Sequence, residues 1–252
     1  LLLRPQGQII KGQSAEILSQ QKKGRFTMQK KTKKSLIITG TLLLIFLLFT
    51  VMVKTVDVQT VGPGQSTVGF ASINQAVFKF FGVNLIWYTI TDYLGLAAIA
   101  VALGFAVLGL LQLIGRRSIK KVDTRILLLG AFYITVIAVY VYFETKIVNY
   151  RPIILSEKLE ASFPSSHTMI VICIMVTAIM QFHYYLVKKK TLLRAADIIS
   201  ALIIIVTVAG RLISGVHWFT DIIAGILLSS ALIALYCTIL QLIEEKHENR
   251  NE

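Results

Sequence analysis

Six apolar runs, each close to the roughly 20 residues that carry an α-helix across about 30 Å of hydrocarbon, leave this chain few ways to fold. They are Leu36–Val53, Tyr93–Ile114, Ile126–Phe143, His167–Val187, Asp197–Ile213 and Asp221–Ile243. Of the 252 residues, 55% are hydrophobic and 15% charged, a balance too apolar for a soluble domain of this length. Backbone in lipid must satisfy its own polar groups, and segments of this length do so as helices. The expected fold is an all-α integral membrane bundle of six transmembrane helices. An interfacial helix is expected over Ala71–Gly82, where Ile73, Ala76, Val77, Phe80 and Phe81 recur at helical spacing opposite Asn74, Gln75 and Lys79. It serves as an anchor or as an entry gate for lipid. Trp87 and Tyr88 follow as headgroup-level aromatics. Ala98, Ala102 and Ala106, with Ala100 and Gly104, mark close helix packing in the second span.

The net charge of +13 would point to nucleic acid in a soluble protein, but here the basic residues are bunched between apolar runs without a nucleic-acid-reading motif. They read as topology determinants, because basic flanks stay cytoplasmic. Lys30, Lys31, Lys33 and Lys34 precede the first span; Arg116, Arg117, Lys120, Lys121 and Arg125 separate the second from the third; Lys188, Lys189, Lys190 and Arg194 separate the fourth from the fifth. Six alternating spans put all three clusters, and both termini, on the cytoplasmic side, with segments 54–92, 144–166 and 214–220 outside. Two cysteines, Cys173 and Cys237, both within apolar runs, exclude a disulfide framework and a Cys-based zinc site. Residues 1–27 are polar and patternless, and Met28 is followed by a basic start. The expectation is a disordered or upstream-translated tail over 1–27, one six-span domain over 28–243 and a cytoplasmic tail over 244–252.

Charged and imidazole groups at membrane depth cost about 2.5–3.5 kcal/mol each on insertion scales, so a cluster of them needs a partner or a function. The topology gathers such a cluster on the outer face: Arg151-Pro152 after the third span, Pro164-Ser165-Ser166-His167 opening the fourth, Arg211 ending the fifth, and His217 and Asp221 leading into the sixth. Two arginines offer planar forks to phosphate oxygens, and a helix starting at Ser165-Ser166 offers backbone N–H donors. Two histidines can divide a displacement at phosphorus between nucleophile and acid. Asp221, four residues after His217, shares its helical face and is placed to hold Nδ1–H.

In this order the blocks resemble the type 2 phosphatidic acid phosphatase superfamily, whose signature is Lys, six residues, Arg-Pro; Pro-Ser-Gly-His; and Ser-Arg, five residues, His, three residues, Asp. Here the second block reads Pro164-Ser165-Ser166-His167, and the third runs from Gly210-Arg211 through five residues to His217 and three more to Asp221. Three positions depart from it. Glu144 stands where the family has lysine, with Lys146 two residues later and about 200° round a helix; Ser166 replaces glycine; and Gly210 replaces serine, a lost donor that Ser166 or Ser214 would offset.

The resemblance implies a lipid phosphatase working at the outer face of a bacterial cell membrane. His217 attacks phosphorus to give a phosphohistidine, Asp221 orients it, and His167 protonates the departing lipid oxygen and later activates water. Arg151 and Arg211, with Ser165, Ser166 and Lys146, would hold the phosphate. No cofactor or metal is implied, the cluster lacking the carboxylates that hold Mg²⁺ beside phosphates. The partners are the bilayer and a lipid phosphate: undecaprenyl pyrophosphate, phosphatidylglycerophosphate, phosphatidate or diacylglycerol pyrophosphate. Oligomeric state is open. The alternatives are a non-catalytic lipid-phosphate binder of the same fold, which Glu144 favours, and a small transporter, which lacks support from any inverted repeat or midplane site.

The charge pattern makes a direct prediction. In intact cells a membrane-impermeant maleimide labels a Lys158→Cys variant and leaves a Ser118→Cys variant unlabelled; the reverse result overturns the assigned topology.

Overall fold

The computed structural model describes the backbone of residues 6–248 and the side chains of residues 29–246. The expected tail over residues 1–27 lies outside the described residues for Leu1–Pro5 and, from Gln6 onward, for all its side chains. Seven α-helices follow in chain order: α1 (Gln6–Thr55), α2 (Ala71–Phe81), α3 (Leu85–Arg116), α4 (Thr124–Thr145), α5 (Ser166–Tyr185), α6 (Lys190–Ile213) and α7 (Phe219–Glu248). Between α1 and α2 a short antiparallel hairpin pairs β1 (Gln59–Thr60) with β2 (Thr67–Val68). Six helices are long and apolar enough to span a membrane: Gln29–Thr55, Leu85–Arg116, Thr124–Thr145, Ser166–Tyr185, Lys190–Ile213 and Phe219–Lys246. The chain is a multi-pass membrane protein with the expected six-span layout and the expected short helix α2.

Helices α3 and α4 outrun their apolar runs because polar side chains cap them, whereas α5 ends at Tyr185, two residues short of the expected Val187. The α3 helix starts at Leu85, before the expected Tyr93, since the Asn84 side chain accepts the Ile86 and Trp87 N–H groups at 3.1 and 3.3 Å. The first turns of α3 therefore lie beside the motif segments. At the other end of the bundle Asp123 caps α4 through the Arg125 N–H (2.9 Å) and accepts the Tyr185 hydroxyl (2.7 Å), while Arg125 pairs with Glu244 and lies over the Tyr184 ring.

The most buried helices are α5 and α7, with the others packed around them and turning lipid-facing side chains outward. The stripe that seats α3 on α5 is Thr91, Gly95, Ala98 and Phe105, buried at helical spacing, with Ala102 partly buried beside it. Ala100, Gly104 and Ala106 of the expected small-residue stripe face outward, because close approach is needed only where α3 meets α5 and α6. Phe163 is buried against Phe46 and Phe143, with ring centroids 6.5 and 6.2 Å away, and this anchors the chain just before the second motif block.

The interfacial helix is tied to the bundle through one buried amide. Asn74 donates to the Gly69 carbonyl and the Thr220 hydroxyl, both at 2.9 Å, and accepts the Thr220 N–H at 3.1 Å. Two of these three bonds join α2 to the start of α7. Asn74→Ala strands the Thr220 N–H in a dry site, so a loss of about 1–3 kcal/mol is expected, visible as a lower unfolding temperature in detergent.

Candidate active site

Three loops meet at one end of the bundle, and backbone hydrogen bonds join them before any side chain contributes. The 150–161 loop closes through a bridge between Tyr150 and Ala161, with Arg151 N–H donating to the Glu160 carbonyl at 3.0 Å. Ser162 N–H reaches the Asn149 carbonyl at 3.0 Å, Ser165 N–H reaches the Asp221 carbonyl at 2.9 Å, and Asn84 N–H reaches the Ser214 carbonyl at 3.0 Å. Gly215, at φ +67°, turns the chain into His217, and a β-carbon there would run into the Gly82 carbonyl. The motif residues are held by this frame, which fixes their geometry before a ligand arrives.

His217 is buried between two of these loops. Its Nδ1–H donates to the Ser162 carbonyl at 3.1 Å, which leaves Nε2 as the lone-pair nitrogen, 3.3 Å from Arg151 Nη1. Arg151 also donates to the Val216 carbonyl at 3.3 Å and pairs through Nε with Glu160 at 3.0 Å. Burial, with the Arg151 and Arg211 guanidiniums close by, holds the His217 imidazole well below the ordinary histidine value of 6.5. The ring is neutral at pH 7 and presents an unprotonated nitrogen next to a guanidinium, as a nucleophile for phosphorus requires.

Asp221 does not take the Nδ1 proton. Its Oδ2 lies 3.8 Å from His217 Nδ1 and accepts the Trp218 N–H at 2.9 Å, while Oδ1 accepts from Asn149 at 3.2 Å. The first turn of α7 bends the carboxylate back onto its own helix start, so Asp221 shapes the loop carrying His217 and acts on the ring only across that gap. Ser162 and Asn149, both buried and neither in a motif block, are the partners that four-residue spacing did not reveal.

Arg211 is fully buried. It pairs through Nη2 with Asp92 of α3, and its Cζ lies 4.9 Å from the Tyr88 ring centroid, while Nε and Nη1 have no hydrogen-bond partner. His167, in the first turn of α5, places Nε2 3.1 Å from the same Asp92 oxygen. Ser165 is buried at the α5 N-cap with its hydroxyl unpartnered, and Ser166 begins the helix, so the free N–H groups of the first turn of α5 lie at the site.

Lys146 stands apart. It caps the end of α4, exposed, with no side-chain hydrogen bond or ion pair among the described residues, whereas Glu144 lines the same recess as Ser162, Pro164 and Ser166. Ser214 does not replace the donor lost at Gly210, because its hydroxyl is spent on the Arg211 carbonyl at 2.8 Å. Gly210 has its own steric reason: a β-carbon there would stand 2.5 Å from Thr91 Cγ2 and 2.9 Å from Trp87 Cε3. Trp87 and Tyr88, expected as headgroup anchors, are packed against α6 at the site. Among the described residues no group of three or more His, Cys, Asp or Glu side chains is arranged to hold a metal ion.

The buried neutral His217 also predicts a pH effect on stability. The unfolded chain takes up this proton near 6.5 and the folded chain only at lower pH, so stability present above 6.5 is lost as pH falls below it. The loss approaches about 1.4 kcal/mol per pH unit for one group, and His217→Gln flattens that part of a stability profile measured from pH 7 to 5.

Comparison with known proteins bears on the sequence range that holds these residues and on the fold. The family model described as the PAP2 superfamily matches residues 145–244, a range that contains Lys146, Arg151, Ser165, Ser166, His167, Arg211, His217 and Asp221. Among solved structures, a transmembrane PAP2-type phosphatidylglycerolphosphate phosphatase from Bacillus subtilis shares the fold, with a TM-score of 0.60 and 19% identity over 82% of this chain and 97% of that one. No curated protein sequence is a significant match. Residues 145–244 thus match the PAP2 superfamily model, and the chain shares the fold of a transmembrane PAP2-type phosphatase.

Proposed function

We propose that the protein is a metal-independent membrane lipid phosphatase that removes phosphate from a lipid phosphate or pyrophosphate through a phosphohistidine at His217. One observation carries this reading: the His167–Asp92 end of the polar cluster opens into an apolar cavity of about 330 Å³, lined by Gly95, Leu96, Ile99, Ile170 and Val171. Leu96 and Ile99 are 62% and 44% exposed on the lipid-facing side of α3. A phosphate can sit among the arginines while its lipid tail leaves sideways between helices into the bilayer, so entry between spans is favoured over passage across α2.

In the proposed reaction the incoming phosphate draws the Arg151 fork away from His217 Nε2 and takes up the unpartnered Nε and Nη1 of Arg211. Nε2 attacks phosphorus in line, and the oxygen to the lipid departs with a proton from His167. Water activated by His167 then hydrolyses the phosphohistidine. The guanidiniums and the N–H groups at the start of α5 stabilise the equatorial oxygens, the contribution expected to be largest. By the basic-loop topology the site faces out of a bacterial cytoplasmic membrane and both termini face in. Undecaprenyl pyrophosphate, phosphatidylglycerophosphate, phosphatidate and diacylglycerol pyrophosphate are the substrates to rank.

Glu144 favours a second reading, a lipid-phosphate binder without turnover, since a carboxylate in the recess it shares with Ser166 opposes a dianion held there. Phosphate release separates the two. Purified protein in EDTA is expected to release phosphate from at least one of the four lipids, and His217→Ala to lower that rate about 10³-fold or more. Binding without release by the wild type would favour the binder.

A further inference from the structure

We propose that Asp92 is a positioning residue that orients His167 as the proton donor to the leaving lipid oxygen. This inference rests on the phosphatase reading above and adds to it a residue outside the three motif blocks and outside residues 145–244.

Asp92 is an anomaly in an anion site. A carboxylate there repels a phosphate dianion, so its use must lie toward the cations around it. One oxygen, Oδ1, serves both Arg211 Nη2 and His167 Nε2, the latter at 3.1 Å. Arg211, fully buried, anchors the carboxylate from one side, and the imidazole meets it from the other. One helical turn further along α3, Gly95 lies flush against the same ring: a β-carbon there would come within 3.0 Å of His167 Cδ2. The helix thus supplies both the acceptor for Nε2–H and a close wall for the ring, two independent constraints on one imidazole. Asp221 is 3.8 Å from His217 Nδ1, so the tighter carboxylate–imidazole pair of the site belongs to His167.

With Nε2–H held by Asp92, the transferable proton of the His167 imidazolium is on Nδ1, a buried atom with no other partner. As the bond between phosphorus and the lipid oxygen breaks, its electron pair stays on that oxygen, which takes the Nδ1 proton. His167 is left neutral with Nε2–H still on Asp92, ready to accept a proton from the water that hydrolyses the phosphohistidine. The other charged or titratable groups facing His167 are Arg211 from α6, and Arg151 and His217 from the loops.

The test exploits the leaving group. An alkyl oxygen such as that of phosphatidate needs a proton to depart, whereas the phenolate of p-nitrophenyl phosphate does not. Full-length wild type, Asp92→Asn, Asp92→Glu and His167→Ala are assayed on both substrates in the same detergent. Asp92→Asn preserves volume and is checked by its elution and unfolding temperature. The expected result, read in kcat/KM because it reports the step that forms the phosphohistidine, is a loss for Asp92→Asn about tenfold or more larger on phosphatidate than on the aryl phosphate, with partial recovery in Asp92→Glu. In kcat/KM, His167→Ala should likewise lose more on phosphatidate than on the aryl phosphate, and adding Asp92→Asn to it should not widen that difference. Equal losses on both substrates would make Asp92 merely structural and overturn the proposal, as would full activity of Asp92→Asn on phosphatidate. A wild type inert on both substrates and on every lipid phosphate would overturn the phosphatase reading and this one with it.

Discussion

A guanidinium with no solvent exposure is the constraint from which the rest of this structure follows. A fully buried guanidinium left without a counter-charge is strongly destabilising, so Arg211 needs a permanent one. Asp92 supplies it and thereby fixes α3 against α6. The consequences are local and specific. Helix α3 must begin early enough to bring Asp92 to the loop level, which the Asn84 cap achieves, and α6 must come close enough for contact, which the bare Gly210 permits beside Trp87 and Thr91. Tyr88 then covers the remaining face of the guanidinium. His167, sharing the Asp92 oxygen, inherits its position from the same pair.

The chemistry rests on loops, yet these loops are not free. Asn149, Ser162, Ser165, Ser214 and Asp221 are joined through main-chain hydrogen bonds to neighbouring segments, so the three blocks move as one unit. That preorganisation leaves His217 with its proton on the Ser162 carbonyl and its lone pair beside Arg151, and it leaves Arg211 Nε and Nη1, Ser165 Oγ and His167 Nδ1 buried without partners. Unpaired buried polar atoms cost about 1–3 kcal/mol each, and their concentration at one place supports the proposed phosphate site. The apolar cavity beside His167 is the route to the bilayer that the proposed function uses.

The spans and the set of polar residues that belong together were legible in the sequence, because hydropathy and motif spacing encode both directly. The partnerships inside the set were not. Four-residue spacing put Asp221 on the face of His217, but a helix start can turn a carboxylate back onto its own N–H groups, and Trp218 takes it. Asp92 stood one residue before an apolar run and outside every block, so nothing local separated it from an interfacial carboxylate. Its role appears only when α3 crosses α6. Trp87 and Tyr88 look like membrane anchors by composition, and only the close approach at Gly210 shows that they wall the site. Lys146 illustrates the opposite case: its proximity in sequence to the first block does not bring its side chain to the cluster, because α4 ends there and leaves it exposed.

The most direct test of the central claim is to trap the covalent intermediate. Protein mixed with a lipid phosphate, quenched within one turnover under alkaline conditions that preserve phosphoramidate bonds, and digested for mass spectrometry should carry phosphate on the peptide containing His217. The account predicts that this label sits on His217 and disappears as turnover completes. Turnover with no label on His217, or with phosphate on any other residue, would contradict it.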